Sequence, residues 1–174
     1  YNNINLYDIE FEHCKFTNIC MQKSKLEKLT FKDVSFEQCN FSNTEFVETS
    51  FIRCEFNNCK LTGCNFIENV LFDIGFIDSN MSYANISLSN LRGIIFNNTS
   101  IRSGSLQGNK VKNINFKEAD LMGTQFFKTS LNGIDLSNSN IEQIAVSLED
   151  IKGAKINQMQ AIDLMYLLGV KVVE

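Results

Sequence analysis

The chain has 174 residues, 44% of them hydrophobic, and carries a formal net charge of −4. This composition is typical of one globular domain, and the acidic balance argues against general nucleic-acid binding, which needs a surplus of Lys and Arg. No apolar run approaches the length of a membrane-spanning helix, and no basic start precedes a hydrophobic signal core. We therefore expect a soluble, cytoplasmic protein that contacts neither membrane nor nucleic acid directly.

A five-residue period runs along almost the whole chain. Stepping by five from Leu6 to Ile156 gives 31 positions, and every one is Phe, Leu, Ile, Val or Met. A helix turns about 100° per residue, so this spacing gives no single apolar stripe, and a regular strand would send successive large residues to opposite faces. A second column, two residues earlier, is mostly small or apolar. The pattern predicts a chain that turns a corner in each repeat, with two of its five side chains directed inward.

Four such sides close a square coil of twenty residues. Stacked coils would pair their backbones at the strand spacing of about 4.8 Å, as in other solenoids. Residues 1–157 are therefore predicted to form an all-β helix of about seven to eight coils. The chain contains no proline, which fits this prediction because each interior coil must donate N–H groups to its neighbour.

The early repeats are rich in cysteine. Five cysteines lie in the small inward column, where we interpret them as core residues, because free cysteine is among the most buried residue types. Two of them, Cys39 and Cys59, are twenty residues apart, so a disulfide is geometrically open to them, although a reducing cytoplasm disfavours it. The five are Cys14, Cys39, Cys54, Cys59 and Cys64.

The sequence offers no arrangement suited to catalysis or metal binding. His13 is the only histidine and lies in an outward column. Cysteines five residues apart fall on different sides of the coil, so they do not converge as metal ligands. No phosphate-binding loop, dinucleotide fingerprint or nucleophile with its base is recognisable, and a filled coil has no internal pocket. We expect no metal, no cofactor and no enzymatic activity.

Charge is unevenly distributed over the outward columns. Residues 33–78 hold eight acidic and two basic residues, a net of −6, whereas residues 79–118 hold five basic residues and one acidic, a net of +4. Glu48 and Glu68 share a column one coil apart, and stacked carboxylates can imitate a row of phosphates; the alternative is an ordinary solvated surface. The candidate acidic face consists of Glu45, Glu48, Glu55, Glu68, Asp73 and Asp78.

Outward apolar residues lie beside these acids. An apolar cluster next to charges indicates an interaction surface, which serves either another protein or self-association. The candidate patch consists of Val47, Ile52, Ile67, Val70, Phe72 and Ile77.

The last segment, residues 158–174, departs from the repeat. Apolar residues recur at helical spacing at Met159, Ile162, Met165 and Leu168, Gly169 is placed as a C-cap, and a short Val-rich strand is expected after it. We expect this helical stripe to cover the open last coil, whose strand edges otherwise lack partners. Further apolar residues exceed what one capped edge needs and predict a homodimer through this end. The candidate dimer interface consists of Ile162, Leu164, Met165, Leu167 and Leu168.

Several repeats resemble the consensus of the pentapeptide-repeat family, which is a small residue, a polar one, Leu or Phe, and two variable positions. The best matches are "CNFIE" at 64–68, "SNLRG" at 89–93 and "ADLMG" at 119–123. This resemblance covers about nine tenths of the chain and implies a right-handed quadrilateral β-helix.

The tail "GAKINQMQAIDLMYLLGVKVV" at 153–173 is similar to the C-terminal segment of the Qnr and MfpA quinolone-resistance group. That resemblance implies a dimeric rod that imitates duplex DNA, binds DNA gyrase or topoisomerase IV and relieves quinolone poisoning. Two features bear on this resemblance: the repeat lacks the projecting loops of the Qnr proteins, which MfpA-like members lack too, and a run of bases interrupts the acidic surface. The alternative is a structural or scaffold protein with another protein partner. The bases are Arg92, Arg102, Lys110, Lys112 and Lys117.

Overall fold

The computed structural model describes residues 3–171 and shows a β-solenoid with a short helical C-terminal end. Every strand pairing is parallel and joins residues twenty apart, for example Asn5 with Lys25 and Lys25 with Glu45. The same column of pairs continues by single bridges to Ala145, seven steps from Asn5. The predicted β-helix of twenty-residue coils is therefore confirmed.

The strands are short where the coil turns at every corner and longer where two sides merge. Strands of three residues occupy the first coils, and strands of eight residues follow on the later ones. Their bounds are β1 Asn5–Tyr7, β2 Glu10–Glu12, β3 Lys15–Thr17, β4 Lys25–Glu27, β5 Thr30–Lys32, β6 Ser35–Glu37, β7 Glu45–Val47, β8 Ser50–Asn57, β9 Val70–Ile77, β10 Asn90–Asn97 and β11 Lys110–Lys117.

Each coil has four sides, which we number by their central residues. Side 1 is centred on Leu6 and each twentieth residue after it, side 2 on Phe11, side 3 on Phe16 and side 4 on Met21. Strands β2, β5 and β8 to β11 stack on side 2, and β8 to β11 continue around the corner into side 3. Side 4 is made of turns and single bridges.

The central residues fill the interior and stack from coil to coil. On side 3 the ring centroids of Phe36 and Phe56 lie 4.6 Å apart, and those of Phe56 and Phe76 lie 5.1 Å apart. Rings from neighbouring sides meet edge to face, as Phe36 and Phe41 do at 5.5 Å. Such aromatic pairs contribute about 0.5–1.5 kcal/mol each beyond the burial of their surface. The core is therefore a ladder in which each ring supports the next.

The second inward column supplies hydrogen bonds as well as volume. The Thr99 hydroxyl donates to the carbonyl of Phe76 at 2.9 Å, and the Cys54 thiol donates to the carbonyl of Phe31 at 3.3 Å. The backbone N–H of Cys59 in turn donates to the hydroxyl of Ser79 on the next coil at 3.0 Å. Small residues with a donor suit this column because they reach a backbone carbonyl without crowding the rings. Cysteine is one solution to that requirement, which explains its frequency.

The corners require an unusual backbone conformation. The residue two after each central one has a positive φ at most corners, including 55° at Asp33, 51° at Arg53 and 69° at Gly93. Glycine adopts this region without strain, and Asn and Asp tolerate it better than most residues. At Gly93 space is limiting too, because an added Cβ would lie 2.0 Å from Oδ1 of Asp73.

The C-terminal end closes the last coil through a polar side chain. Helix α1 spans Leu148–Ile151, helix α2 spans Gln158–Asp163 and a 3₁₀ helix spans Leu164–Leu168. Gln160 is 5% exposed, and its Nε2 donates to the carbonyls of Leu136 and Ser139 at 2.9 and 2.6 Å. Its Oε1 also accepts from the N–H of Asn157 to complete a capping box. Gln160 thus fixes both the start of α2 and its rotation.

The orientation of α2 contradicts the prediction that its apolar stripe covers the last coil. Leu164 and Leu167 pack against the core, whereas Met159, Ile162 and Leu168 are 72%, 48% and 61% exposed. The apolar residues expected to cover the coil therefore largely face away from it, because the bonds of Gln160 set the phase of the helix. Gly169 ends the 3₁₀ helix with φ 69°, as the C-cap prediction required. Val170 and Lys171 are not in a strand, and the rest of the expected Val-rich strand lies outside the described residues.

The side-chain nitrogen of Asn109 is buried without a hydrogen-bond partner, so replacing this residue is expected to stabilise the protein. Its Oδ1 accepts from the N–H of Ser89 at 2.8 Å, but within residues 3–171 its Nδ2 has no hydrogen bond. Asn109→Thr keeps an acceptor for Ser89 and supplies a hydroxyl donor of the kind that Thr129 uses toward the carbonyl of Leu106. We expect a gain of about 1–2 kcal/mol in the free energy of unfolding, measured by urea denaturation.

Asn69→Thr is the matched control. Asn69 lies in the same column, but its Nδ2 donates to the carbonyl of Phe46 and its Oδ1 accepts from the N–H of Thr49, both at 2.9 Å. Because the replacement of Asn69 removes no unsatisfied polar group, we expect little change in the free energy of unfolding. Equal effects of the two substitutions would contradict the explanation.

Candidate interaction surface

The six predicted acids are all exposed but do not form one face. Glu48 and Glu68 lie in a single column at the corner between sides 1 and 2. Glu45 lies on side 1, Glu55 on side 3, and Asp73 at the corner between sides 2 and 3. The sixth, Asp78, lies at the next corner, between sides 3 and 4. We call this group the acidic belt, because it encircles three sides of the rod within two coils.

The acidic belt carries charges that are not neutralised locally. Asp33 and Glu37 belong to the same stretch of sequence, but Asp33 accepts two hydrogen bonds from Arg53 at 2.6 and 2.7 Å, and Glu37 lies 2.7 Å from Nζ of Lys15. Within residues 3–171, none of the six belt residues forms an ion pair. The belt therefore presents the part of the acidic charge that remains available to a partner.

The predicted apolar patch is also divided among sides. Val47 and Ile67 lie on side 1, Ile52 and Phe72 on side 2, and Ile77 on side 3; all five are half-buried. On side 2, Val70 joins Ile52 and Phe72 and is 48% exposed. These three side-2 residues form a continuous group, which we call the apolar strip. The sequence could not separate it from the other sides without the coil register.

Basic residues follow the apolar strip along side 2. Arg92 pairs in register with Phe72 on one side and Lys112 on the other, and Lys110 pairs with Asn90. The guanidinium of Arg92 lies 5.1 Å from the ring centroid of Phe72, a cation–π contact. We call Arg92, Lys110 and Lys112 the cationic strip. Of the two remaining predicted bases, Arg102 is paired with Asp120 on side 4 and Lys117 lies on side 3.

A groove along the corner between sides 2 and 3 was not expected from the sequence. It encloses about 720 Å³, and its lining includes Arg53, Asp73, Gly75, Gly93, Ile95 and Asn115. The groove exists because glycine replaces a side chain in two adjacent outward columns. The sequence argument concerned only the filled interior of the coil and did not anticipate this groove on the outer surface.

The cysteine that lines the groove is not activated as a nucleophile. This cysteine, Cys54, is 3% exposed, and burial raises the pKa of the thiol. Burial also raises the pKa of Cys64, to about 12. A thiol whose pKa is raised is rarely ionised and is therefore a poor nucleophile. Cys39 and Cys59 stack in one inward column as thiols rather than as a disulfide.

Two general features concern metals and membranes. Among residues 3–171, no cluster of His, Cys, Asp and Glu side chains could hold a metal ion. In the same part of the chain, no helix is long and apolar enough to cross a membrane.

The C-terminal end exposes an apolar group of its own. Of the predicted dimer residues, Ile162 and Leu168 are exposed, whereas Leu164, Met165 and Leu167 are half-buried. Met159 adds to the exposed group at this end of the rod. The exposed apolar side chains at this end are therefore Met159, Ile162 and Leu168, together with Tyr166 and Val170.

Comparison with known proteins identifies the repeat. A family model described as the pentapeptide repeat region matches residues 29–103 and 49–126, which together span more than half of the chain. No curated protein sequence matches.

Among solved structures, the chain is similar to a trypsin-treated form of QnrB1, a plasmid-mediated fluoroquinolone resistance protein, with 20% identity over 99% of both chains and a TM-score of 0.46. It is also similar to HetL from the cyanobacterium Nostoc sp. strain PCC 7120, a protein involved in heterocyst differentiation regulation. That likeness has 16% identity over 90% of this chain and 84% of HetL, with a TM-score of 0.41. Rfr23 from the cyanobacterium Cyanothece 51142 is 15% identical over 90% of each chain, with a TM-score of 0.39.

The pairing of Asp33 with Arg53 predicts a specific response to mutation. The guanidinium of Arg53 lowers the pKa of the Asp33 carboxyl, chiefly through their hydrogen bonds. Arg53→Ala is expected to raise that pKa toward the ordinary aspartate value, as measured by an NMR titration of the carboxyl carbon. Arg92→Ala, which removes a base that is not paired with Asp33, is the control and is expected to leave the titration unchanged.

The same pair sets the sign of a pH effect on stability. Because the folded pKa of Asp33 is depressed, its contribution is fully present above the unfolded pKa and is lost as pH falls through the folded pKa. The difference in stability between the natural chain and Arg53→Ala should therefore shrink on acidification. A difference that persists at a pH below the folded pKa would contradict an electrostatic origin.

Proposed function

The chain belongs to the pentapeptide-repeat family, and from that premise we propose that it acts by binding a type II topoisomerase rather than by catalysis. Proteins of this family are generally non-catalytic structural folds. The observation that carries the proposal is the acidic belt, whose six carboxylates are exposed and form no ion pair within residues 3–171. A topoisomerase binds duplex DNA through a basic surface, and such a surface attracts unneutralised carboxylates.

The arrangement of the acidic belt favours recognition through its negative charge rather than through a close imitation of the shape of DNA. A duplex presents phosphates in rows along its axis, whereas the belt encircles the rod. Only Glu48 and Glu68 stack along the axis, on neighbouring coils. These two residues are therefore the part of the belt that most resembles a phosphate row, and the best positions for a test.

The proposed active form is a homodimer joined at the C-terminal end. Met159, Ile162 and Leu168 expose apolar side chains on one end of the rod, and a two-fold axis there would bury them against their own copies. Such a dimer doubles the length of the rod and places two acidic belts at symmetrical positions, which suits a two-fold symmetric topoisomerase. The tail also resembles that of the Qnr and MfpA group.

A second candidate function is that of a scaffold for a different protein. The cationic strip on side 2 favours it, because Arg92, Lys110 and Lys112 would repel a basic DNA-binding surface. The two candidates are separated by direct assay of a topoisomerase.

The topoisomerase proposal is tested by gyrase supercoiling with the purified protein, over a concentration series, with and without ciprofloxacin. Relief of drug inhibition, or direct inhibition of supercoiling, is expected. The double reversal Glu48→Lys with Glu68→Lys should weaken the effect strongly, because it places positive charge where a basic surface would bind. Asp8→Lys, in the same column but outside the belt, is the matched control and should retain activity. No effect of the natural chain at tens of micromolar would reject the proposal in favour of the scaffold.

The end-to-end dimer predicts a second result. Ile162→Glu combined with Leu168→Glu places charge in the proposed interface and is expected to convert a dimer to a monomer in sedimentation velocity. Both side chains are exposed, so the fold should survive. Tyr83→Glu alters a residue that is 67% exposed on the side of the rod and should leave the dimer intact. A natural chain that sediments as a monomer would exclude this interface.

A further inference from the structure

The wall of the solenoid is interrupted between β11 and the coil that follows it. On one flank the N–H of Gly108 donates to the carbonyl of Phe127 at 2.9 Å, and on the other the N–H of Leu121 donates to that of Asn140 at 2.8 Å. Between these bonds, in the part of the chain that the structure describes, no backbone hydrogen bond or bridge joins β11 to residues 130–137. Strand β11 is therefore the unpaired edge of its sheet. We call the space between β11 and residues 130–137 the opening.

The corner glycines show the same separation. A Cβ added at Gly93 would lie 2.0 Å from Oδ1 of Asp73 on the preceding coil, and one added at Gly153 would lie 2.1 Å from Oδ1 of Asn132. Gly133 occupies the same corner on the coil after β11, yet a Cβ added there would meet nothing within 4 Å. The preceding coil is therefore out of contact with this corner only where the opening lies.

The opening exposes part of the interior. Val111 and Ile114 are half-buried, whereas Leu91 and Ile94, which hold the same positions one coil earlier, are each 1% exposed. The opening measures about 350 Å³ and is continuous with the groove, because residues 113–115 line both. Its size falls in the range of pockets that bind ligands, about 300–1,000 Å³.

The edge of β11 presents backbone groups that other coils use for stacking. The N–H of Asn98 donates to the next coil at 2.9 Å, but the N–H of Glu118, at the same position one coil later, forms no such bond in the described part of the chain. The carbonyl of Ile134 accepts from the next coil at 2.8 Å, but that of Ile114 does not. An unpaired strand edge pairs readily with another extended backbone. The opening therefore favours an extended peptide over a compact ligand.

The charges of β11 select the kind of peptide. Lys110, Lys112 and Lys117 are exposed in outward columns, and none of them forms an ion pair within residues 3–171. Arg92 faces Lys112 from the preceding strand, and like charges at facing positions repel. Residues on the other edge of the opening supply one acid, Asp135. Carboxylates placed opposite the three lysines would relieve this repulsion.

The ends of the opening limit the length of its occupant. The N–H of Asn109 donates to the hydroxyl of Thr129 at 2.9 Å, and the N–H of Ala119 donates to that of Ser139 at 3.2 Å. The two coils therefore meet again at both ends, and the opening is no longer than the eight residues of β11. One short extended segment fits this shape, whereas the stacked coils of a second copy do not enter it.

We propose that the opening is a docking site for an extended acidic segment of a partner protein, which adds to the sheet as a strand parallel to β11. The backbone of the segment pairs with the unbonded N–H and carbonyl groups of β11. Its apolar side chains lie beside Val111 and Ile114, and its carboxylates lie opposite Lys110, Lys112 and Lys117. The site uses no residue of the acidic belt, so it does not depend on the topoisomerase proposal, and a gyrase assay neither supports nor weakens it.

Hydrogen exchange of the free protein, followed by NMR, tests whether the edge is open. The N–H of Glu118 is expected to exchange at least about tenfold faster than those of Asp78 and Asn98, because these two donate to the next coil at 3.0 and 2.9 Å. All three residues hold the same position of the repeat. Equal protection of the three amides would show a closed wall and overturn the proposal.

Binding is tested with a fluorescein-labelled peptide of eight residues that follows the order of β11. It carries glutamate opposite the three lysines and apolar residues opposite Val111, Ile114 and Phe116. We expect binding in fluorescence anisotropy, together with slower exchange of the Glu118 N–H. No binding at about 1 mM peptide would overturn the proposal.

Two altered peptides separate the contributions of charge and backbone. One carries lysine in place of each glutamate, and the other is N-methylated at the residues whose N–H groups face β11. Each is expected to bind at least about tenfold more weakly, because the first brings like charges together and the second removes strand pairing. Undiminished binding of the lysine peptide would overturn the acidic occupant, and undiminished binding of the methylated peptide would overturn its addition as a strand.

Variants of the protein locate the site. Lys110→Glu with Lys112→Glu reverses the charge of the edge at two exposed positions and should weaken binding of the glutamate peptide at least about tenfold. Lys23→Glu with Lys60→Glu changes the net charge equally, at exposed lysines on or beside side 4, and is the matched control that should bind like the natural chain. Equal binding by the two double variants, whether weakened or not, would overturn the proposal.

Discussion

The backbone hydrogen bonds between coils are the constraint on which the rest of the molecule depends. The N–H of Lys25 donates to the carbonyl of Ile4 at 3.0 Å, and the N–H of Glu45 donates to that of Ser24 at 2.9 Å, so each coil fixes the register of the next. A shift of one residue would break these bonds and turn the inward side chains outward. Every repeat is thus held to five residues, and the interior has room for one large and one small side chain on each side. The uninterrupted period and the absence of proline are consequences of that register.

The fold could be read from the sequence because two inward columns obey the same period, so the pattern is repeated many times. The end of the rod was harder to predict, for a physical reason. Hydrophobic spacing suggested that Met159 and Ile162 would face the last coil. Gln160 instead donates to the carbonyl of Ser139, and also to that of Leu136, which already accepts from the N–H of Ser139. Burying an unsatisfied carbonyl costs more than exposing a methionine, so the polar contact of Gln160 sets the rotation of the helix. The unsatisfied Nδ2 of Asn109 could not be predicted for a related reason. The inward column of Asn109 follows from the sequence, but whether its Nδ2 reaches a carbonyl depends on side-chain geometry.

The surface was predicted less well than the core because neighbours in sequence are not neighbours on the rod. Successive repeats occupy successive sides, so any acidic stretch longer than one coil becomes a belt. Outward residues that meet on neighbouring coils lie about twenty apart in sequence, as the pairs Glu12 with Lys32 and Asp33 with Arg53 illustrate. The groove beside Gly75 and Gly93 could have been found by the same reading, since both glycines stand in outward columns where the preceding coil has Glu55 and Asp73. The residues that share one side of such a solenoid can be recognised only when the sequence is read in steps of twenty.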